Sequence, residues 1–274
     1  TPAQKLVHIH ASAEELHRVY QPVLAIQSSM NAAARSLEVL TAPPQLPWTG
    51  WTQGCHADYL ANIDAANGGV QLPGPIDMPA IIHTLQRLLP ADAVLTNGAG
   101  NFASWLHRFY RYPGLARGLK TQLAPTNGAM GYGVPAGIAA SILSGRTVFT
   151  IAGDGDFLMN GQELATAVQH GARSIVLLVN NGSYGTIRMH QEREYPGHVS
   201  GSALGNPDFC ALARAYGHAA ERVEATAGFE PALARALAHS GSTVIELMLD
   251  ADVITTRGTL ASIREAALAR LGQA

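Results

Sequence analysis

The chain has 274 residues, 47% of them hydrophobic and 14% charged, with a formal net charge of −2. That is enough apolar material to bury the core of one large or two small domains, and it excludes general disorder. Near-neutral charge with scattered Lys and Arg gives no basis for a nucleic-acid or membrane surface, so small molecules and further copies of the chain are the expected partners.

Cys55 and Cys210 are too few and too isolated for a disulfide framework, and read as thiols of a reducing compartment. No apolar run approaches the roughly 20 residues that span a bilayer. The first residues, Thr1 to Lys5, lack the charged-then-apolar order of a signal peptide. A cytoplasmic location is the expectation.

Lys5 to His10 is strand-like, and Ser12-Ala13-Glu14-Glu15 is a capping box that predicts a helix through Tyr20. Asn31 to Leu40 is a second short helix. One strand and two helices cannot bury their own apolar faces, so residues 1–40 should lean on other chain. From Thr41 to Pro75 the prolines 43, 44, 47, 73 and 75 mark a linker around one polar helix near Ala57 to Ala66. A new domain, residues 76–274, is expected after it. It alternates: helix Ile76–Leu89, strand Ala93–Thr96, helix Asn101–Tyr110, helix Gly131–Leu143, strand Arg146–Ala152, helix Phe157–His170 and strand Ser174–Val179. A helix after Asn181, then helix Asp208–Tyr216, strand Ala219–Val223, helix Phe229–His239 and strand Thr243–Leu249 complete it. This alternation predicts an α/β fold with a parallel sheet covered by helices on both faces.

Three glycine-bearing segments fall where such a fold places ligands. Asn97-Gly98-Ala99-Gly100-Asn101-Phe102 follows a strand and opens a helix, so it can offer backbone N–H groups to an anion. It is not the dinucleotide fingerprint, because Ala103 stands where that pattern requires a third glycine. Gly128-Ala129-Met130-Gly131-Tyr132-Gly133-Val134-Pro135 is open enough for a bulky group to lie against backbone. The third segment is bipartite. Gly153-Asp154-Gly155 and Asn180-Asn181 are separated by 24 residues that read as one strand-helix-strand unit. In a right-handed unit of this kind Asp154 and Asn181 emerge from the same sheet edge, and a carboxylate beside an amide oxygen suits Mg²⁺ or Ca²⁺. The plainer readings are a Gly-rich turn at the first segment, core filler at Met130, and a capping Asp with an Asn-Gly turn at the third.

Together these motifs resemble the thiamine diphosphate enzymes, whose signature is Gly-Asp-Gly, some two dozen residues, then Asn-Asn. The resemblance implies thiamine diphosphate and Mg²⁺ as cofactors, with the metal held by Asp154, the Asn181 side chain and the Ser183 carbonyl. It places Gly100, Asn101 and Phe102 against the diphosphate, and Gly153, Gly155, Asp156 and Tyr184 in the same cofactor-binding set. At Gly128 it implies a carbonyl that accepts from the aminopyrimidine, and at Met130 a wedge that bends the cofactor, which makes these two the catalytic positions. The start of the chain resembles the closing segment of the central domain in acetolactate synthase-like members. That points to a 2-oxo acid substrate, decarboxylated and then joined to a second carbonyl. Release of a free aldehyde, as in a benzoylformate decarboxylase-like enzyme, is the alternative. A cofactor-binding module without turnover and a nucleotide-binding α/β protein are further readings.

Two features depart from the family. A Trp commonly stands at the position of His190 in synthases that prefer larger 2-oxo acids. The tail from Asp250 to Arg257 also reads unlike the one that closes over their site. Tyr184, Arg188, His190 and Gln191 are expected to face the reacting carbon, and Arg111 or Arg117 is suited to an acidic substrate. No segment resembles the domain whose Glu ionises the pyrimidine ring. That domain is expected from a neighbouring subunit in a homodimer or homotetramer, and this chain alone is expected to be inactive. The histidines show no pairing that would make a transition-metal site.

Overall fold

The computed structural model describes residues 3–64 and 72–272 and divides into two compact units, at residues 56 and 57. In the first unit, β1 (Val7–His10) pairs in parallel with β2 (Leu24–Gln27), and α1 (Met30–Glu38) starts on Ser29, whose hydroxyl accepts from the Ala32 N–H. The strand β2 is a partner the sequence reading did not foresee. The capping box behaves differently as well: Ser12 accepts from the Glu14 N–H, but only a single 3₁₀ turn, Ala13–Glu15, follows. Leu16 is extended, His17 takes φ 66°, and the turn buries no side chain, so no packing carries it into a helix. The dividing point lies within α2 (Thr49–Ile63), which begins eight residues before the expected helix. The expected end of that helix, at Ala66, lies outside the described residues.

The second unit is built on six strands: β3 (Val94–Asn97), β4 (Gln122–Leu123), β5 (Val148–Gly153), β6 (Ser174–Asn180), β7 (Ala219–Val223) and β8 (Thr243–Met248). Their order is β4-β3-β5-β6-β8-β7, and every neighbouring pair is parallel. The strands β3, β5 and β6 are buried along their whole length, which accounts for their unbroken apolar character. Alternate residues feed two cores. Phe149, Ile151, Ile175, Leu177, Ile245 and Leu247 pack with α3 (Met78–Leu88), α4 (Ala103–Phe109) and α10 (Phe229–Ala238). On the opposite face Ala152, Val176, Leu178 and Val244 pack with α5 (Gly133–Ser144), α6 (Asp154–Asn160), α7 (Leu164–Gln169) and α9 (Phe209–Ala215).

The one helix expected from Phe157 to His170 is two. The first, α6, starts at Asp154, and a 3₁₀ turn at Gly161–Glu163 separates it from α7, after which Gly171 takes φ 60°. After β6 comes α8 (Gly185–Glu194). The tail forms a hairpin, β9 (Val253–Thr255) with β10 (Gly258–Thr259), and then α11 (Leu260–Gly272). Neither the hairpin nor the two-residue edge strand β4 carries enough alternation to be read from sequence. The chain leaves β3 toward β4 on one side and returns to β5 on the other, so the order in which strands are added reverses between β3 and β5. That is the point where open α/β sheets bind ligands.

Candidate functional site

A cavity of about 280 Å³ opens at the carboxyl ends of β3, β5, β6 and β8. Every position singled out from sequence for cofactor or metal lines it: Gly100, Asn101 and Phe102 after β3, Gly128 and Met130 before α5, Gly153, Asp154, Gly155 and Asp156 at the end of β5, and Asn181, Ser183 and Tyr184 after β6. Segments more than eighty residues apart meet because parallel β-α connections return every carboxyl end to one edge.

Asp154 is buried, 2% exposed, at the first position of α6. Its Oδ1 accepts from the Gly155 N–H at 2.9 Å, and its Oδ2 from the Gly182 N–H at 2.8 Å and from Asn206 Nδ2 at 2.8 Å. The loop carrying Asn206 is brought there by backbone bonding alongside residues 182–184, Tyr184 N–H to the Ser202 carbonyl and Leu204 N–H to the Gly182 carbonyl, each 2.9 Å. Asn206 Nδ2 also donates to Asn180 Oδ1 at 2.9 Å, while Asn180 Nδ2 donates to Glu246 Oε1 at 2.8 Å. The first Asn of the Asn-Asn pair is therefore bonded into the core, and the second, Asn181, lines the cavity. Its Oδ1 accepts from the Ser183 N–H at 3.2 Å.

Burial raises the Asp154 carboxyl above the usual carboxylate range, against the pull of its Asn206, Gly155, Gly182 and Ser183 donors. Burial likewise pushes Asp156 up to about 6, opposed by the Gly131 and Ala99 amides. Among the described residues neither carboxylate has an Arg, Lys or His partner. Two buried acids without a protein cation make a site whose chemistry fits a divalent ion. The backbone around them is close-set. A Cβ placed on Gly155 would lie 2.5 Å from the Tyr184 ring, so only glycine seats here without moving that ring.

The model of the thiamine pyrophosphate enzyme C-terminal TPP binding domain matches residues 98–247, more than half of the chain and all of the segments just described. The chain belongs to this family. Thiamine diphosphate is therefore its cofactor, and Mg²⁺ the usual metal partner. Similar proteins include the acetolactate synthase large subunit of Corynebacterium glutamicum, 29% identical over 247 residues, 86% of this chain and 38% of that protein. The acetolactate synthase isozyme 2 large subunit of Escherichia coli K12 is 27% identical over 253 residues, covering 91% of this chain and 44% of that protein. The isozyme 3 large subunit of the same organism is 34% identical over 160 residues, 58% of this chain and 27% of that protein. The chain thus spans about two fifths of the length of the first two.

Several cavity residues escaped the sequence reading. Trp105, Ile187, Leu249, Val253 and Ile254 give the cavity an apolar wall, and the last three come from the tail after β8. The tail, read as unlike a closing segment, contributes to the site. Arg108 fixes it from α4 by donating to the Thr256 carbonyl at 2.5 Å. Position places these tail residues there: β8 neighbours β6, so the residues after it emerge beside the loop that carries Asn181. Conversely, of Tyr184, Arg188, His190 and Gln191 only Tyr184 lines the cavity. Arg188 pairs with Glu192 at 2.7 Å, His190 bonds Arg193, and Gln191 donates to the Ser200 carbonyl at 2.6 Å. All three are engaged by these partners instead, and on α8 the cavity wall is formed by Thr186 and Ile187 near the start of the helix. Arg111 and Arg117 do not line the cavity either.

Away from the cavity, Asp208, Cys210 and Glu246 gather their ligand atoms within 4.8 Å. Arg222 already pairs with both carboxylates of this group, at 2.9 Å from Glu246 and 3.3 Å from Asp208. Burial, with Glu246 alongside, pushes the Cys210 thiol up to about 11, which makes it an inert core thiol.

Proposed function

We propose that this chain is the diphosphate- and metal-binding portion of an enzyme that decarboxylates a 2-oxo acid and joins the product to a second carbonyl, as an acetolactate synthase does. The observation that carries the reading is the meeting of three separate glycine-bearing loops on one cavity, around a buried carboxylate with no Arg, Lys or His partner among the described residues. Asp154, Asn181 and the Ser183 carbonyl would hold Mg²⁺, and the amides of residues 100–102 would meet the diphosphate. Gly128 would accept from the pyrimidine through its carbonyl, with Met130 as the wedge beside it. When bound, thiamine diphosphate supplies an electron sink for the carbon that loses carbon dioxide. The chain's own part is orientation and exclusion of water, the latter through the wall of Trp105, Ile187, Leu249, Val253 and Ile254.

Residues 1–40 are read as the end of a central domain, 41–75 as a linker and 76–274 as the cofactor domain, in a cytoplasmic homodimer or homotetramer. The domain that ionises the pyrimidine would come from a neighbouring subunit of the full-length enzyme. Product analysis on the assembled enzyme, with pyruvate alone and with pyruvate plus a second 2-oxo acid, tests the reading. Acetolactate or its mixed homologue is expected. Free aldehyde would replace it with simple decarboxylation, and no product from any 2-oxo acid would leave a binding module. A nucleotide-binding protein would instead be stabilised against heat by a dinucleotide and not by thiamine diphosphate with Mg²⁺.

A further inference from the structure

Asp156 is a buried carboxylate whose hydrogen bonds go to backbone amides of two separate loops. It is 2% exposed and sits in a cavity meant for a diphosphate, whose charge has the same sign. Its Oδ1 accepts two backbone N–H groups, Gly131 at 2.8 Å and Ala99 at 3.1 Å. Those amides belong to different loops, one directly after Met130 and the other directly before Gly100. The other oxygen, Oδ2, is buried without a hydrogen-bond partner among the described residues. The carboxylate also fills the space that a side chain at position 98 would need: a Cβ on Gly98 would lie 2.0 Å from Oδ2 and 2.1 Å from Oδ1. Asn160 adds a weaker tie of the same kind, its Nδ2 donating to the Gly131 carbonyl at 3.0 Å.

We propose that Asp156 is a positioning residue, a clasp that holds the Met130 loop and the Ala99–Phe102 loop at fixed spacing across the cavity, and that Gly98 is glycine so that the clasp can close. An N–H acceptor buried between two loops fixes their separation more tightly than either loop's own turn, because opening it would strand a buried carboxylate without donors. The importance of the clasp for the cofactor rests on the function proposed above, but its existence does not.

The decisive measurement is amide hydrogen exchange on the whole chain without ligand. Asp156→Ala should speed exchange at Gly131 and Ala99 on the order of tenfold while leaving β6 unchanged, and Asp156→Asn, which keeps an acceptor oxygen, should retain most of the protection. Unchanged exchange at both amides in Asp156→Ala would overturn the clasp. A second arm needs no ligand either. Gly98→Ala should lower Tm in the wild-type background and have little effect in the Asp156→Ala background. An equal drop in both would show that the two residues do not share space, and would overturn the role given to Gly98. The third arm titrates thiamine diphosphate with Mg²⁺ against Trp fluorescence. Affinity on the order of tenfold weaker in Asp156→Ala and near wild type in Asp156→Asn is expected. Equal affinity in all three proteins would overturn the link to the cofactor. Should wild type itself bind none, the function proposed above fails while the exchange arm still decides the clasp.

Discussion

Replacing Glu192 by Gln is the sharpest test of how the wall of the site is held. Glu192, on α8, is 1% exposed and collects four donors: Arg264 Nε at 2.7 Å and a terminal Arg264 nitrogen at 2.6 Å, Arg188 at 2.7 Å, and the Gly197 N–H at 2.9 Å. Arg264 lies on α11, so this carboxylate ties the last helix to the one whose Thr186 and Ile187 line the cavity. The Arg264 hydrogen bonds, before all else, hold the Glu192 carboxyl down at about 2 from its ordinary 4.5. At about 1.36 kcal/mol per pH unit that difference is worth up to about 3 kcal/mol at neutral pH. Arg264 is 39% exposed, and screening by water reduces the figure to about 2 kcal/mol.

The sign is set by a folded-state pKa below the unfolded one. The contribution is complete above about 4.5 and is lost as pH falls through about 2. Urea denaturation at pH 7 should therefore show Glu192→Gln less stable by about 2 kcal/mol, equivalent to a Tm lower by about 4–8 °C. Near pH 3 the gap should shrink to roughly half, since the wild-type advantage is by then partly lost. A gap that is the same at pH 7 and pH 3, or a variant that unfolds at the wild-type midpoint at neutral pH, would refute the argument.

Asp154→Ala should abolish the stabilisation of the protein by thiamine diphosphate with Mg²⁺ in a thermal melt, and chelation should do the same to wild type; a normal ligand-induced shift in the variant would count against metal ligation. Asn206→Leu leaves Asp154 Oδ2 with one donor instead of two, so the Mg²⁺ midpoint for cofactor binding should rise on the order of tenfold, and an unchanged midpoint would remove Asn206 from the site. Gly155→Ala forces the Tyr184 ring aside, with an expected loss of about 1–3 kcal/mol of stability and weaker cofactor binding, both readable in one titrated melt. In the assembled enzyme Met130→Ala should lower turnover more than cofactor affinity. The reverse pattern in steady-state kinetics would make Met130 simple packing.

The parallel α/β sheet and the three glycine-bearing loops that meet at the cavity were legible in the sequence alone, for one reason. Strands buried on both faces, such as Ser174–Val179, need unbroken apolar runs, and their carboxyl ends are where glycines, Asp154 and the Asn-Asn pair are spaced by whole strand-helix-strand units. Local pattern therefore carries the long-range contact. It failed where tertiary packing decides against local preference. The capping box at Ser12 stopped after one turn, with the apolar Val19 and Tyr20 beyond it left exposed, while β2 is paired with β1 and gave no strand signal of its own. Which face of α8 meets the cavity, the entry of Val253 and Ile254 into its wall, and the partners of Asp156 all depend on neighbours tens of residues away. Such contacts leave no periodic trace in the chain, because each is a single pair of groups set by how the helices lie against the sheet.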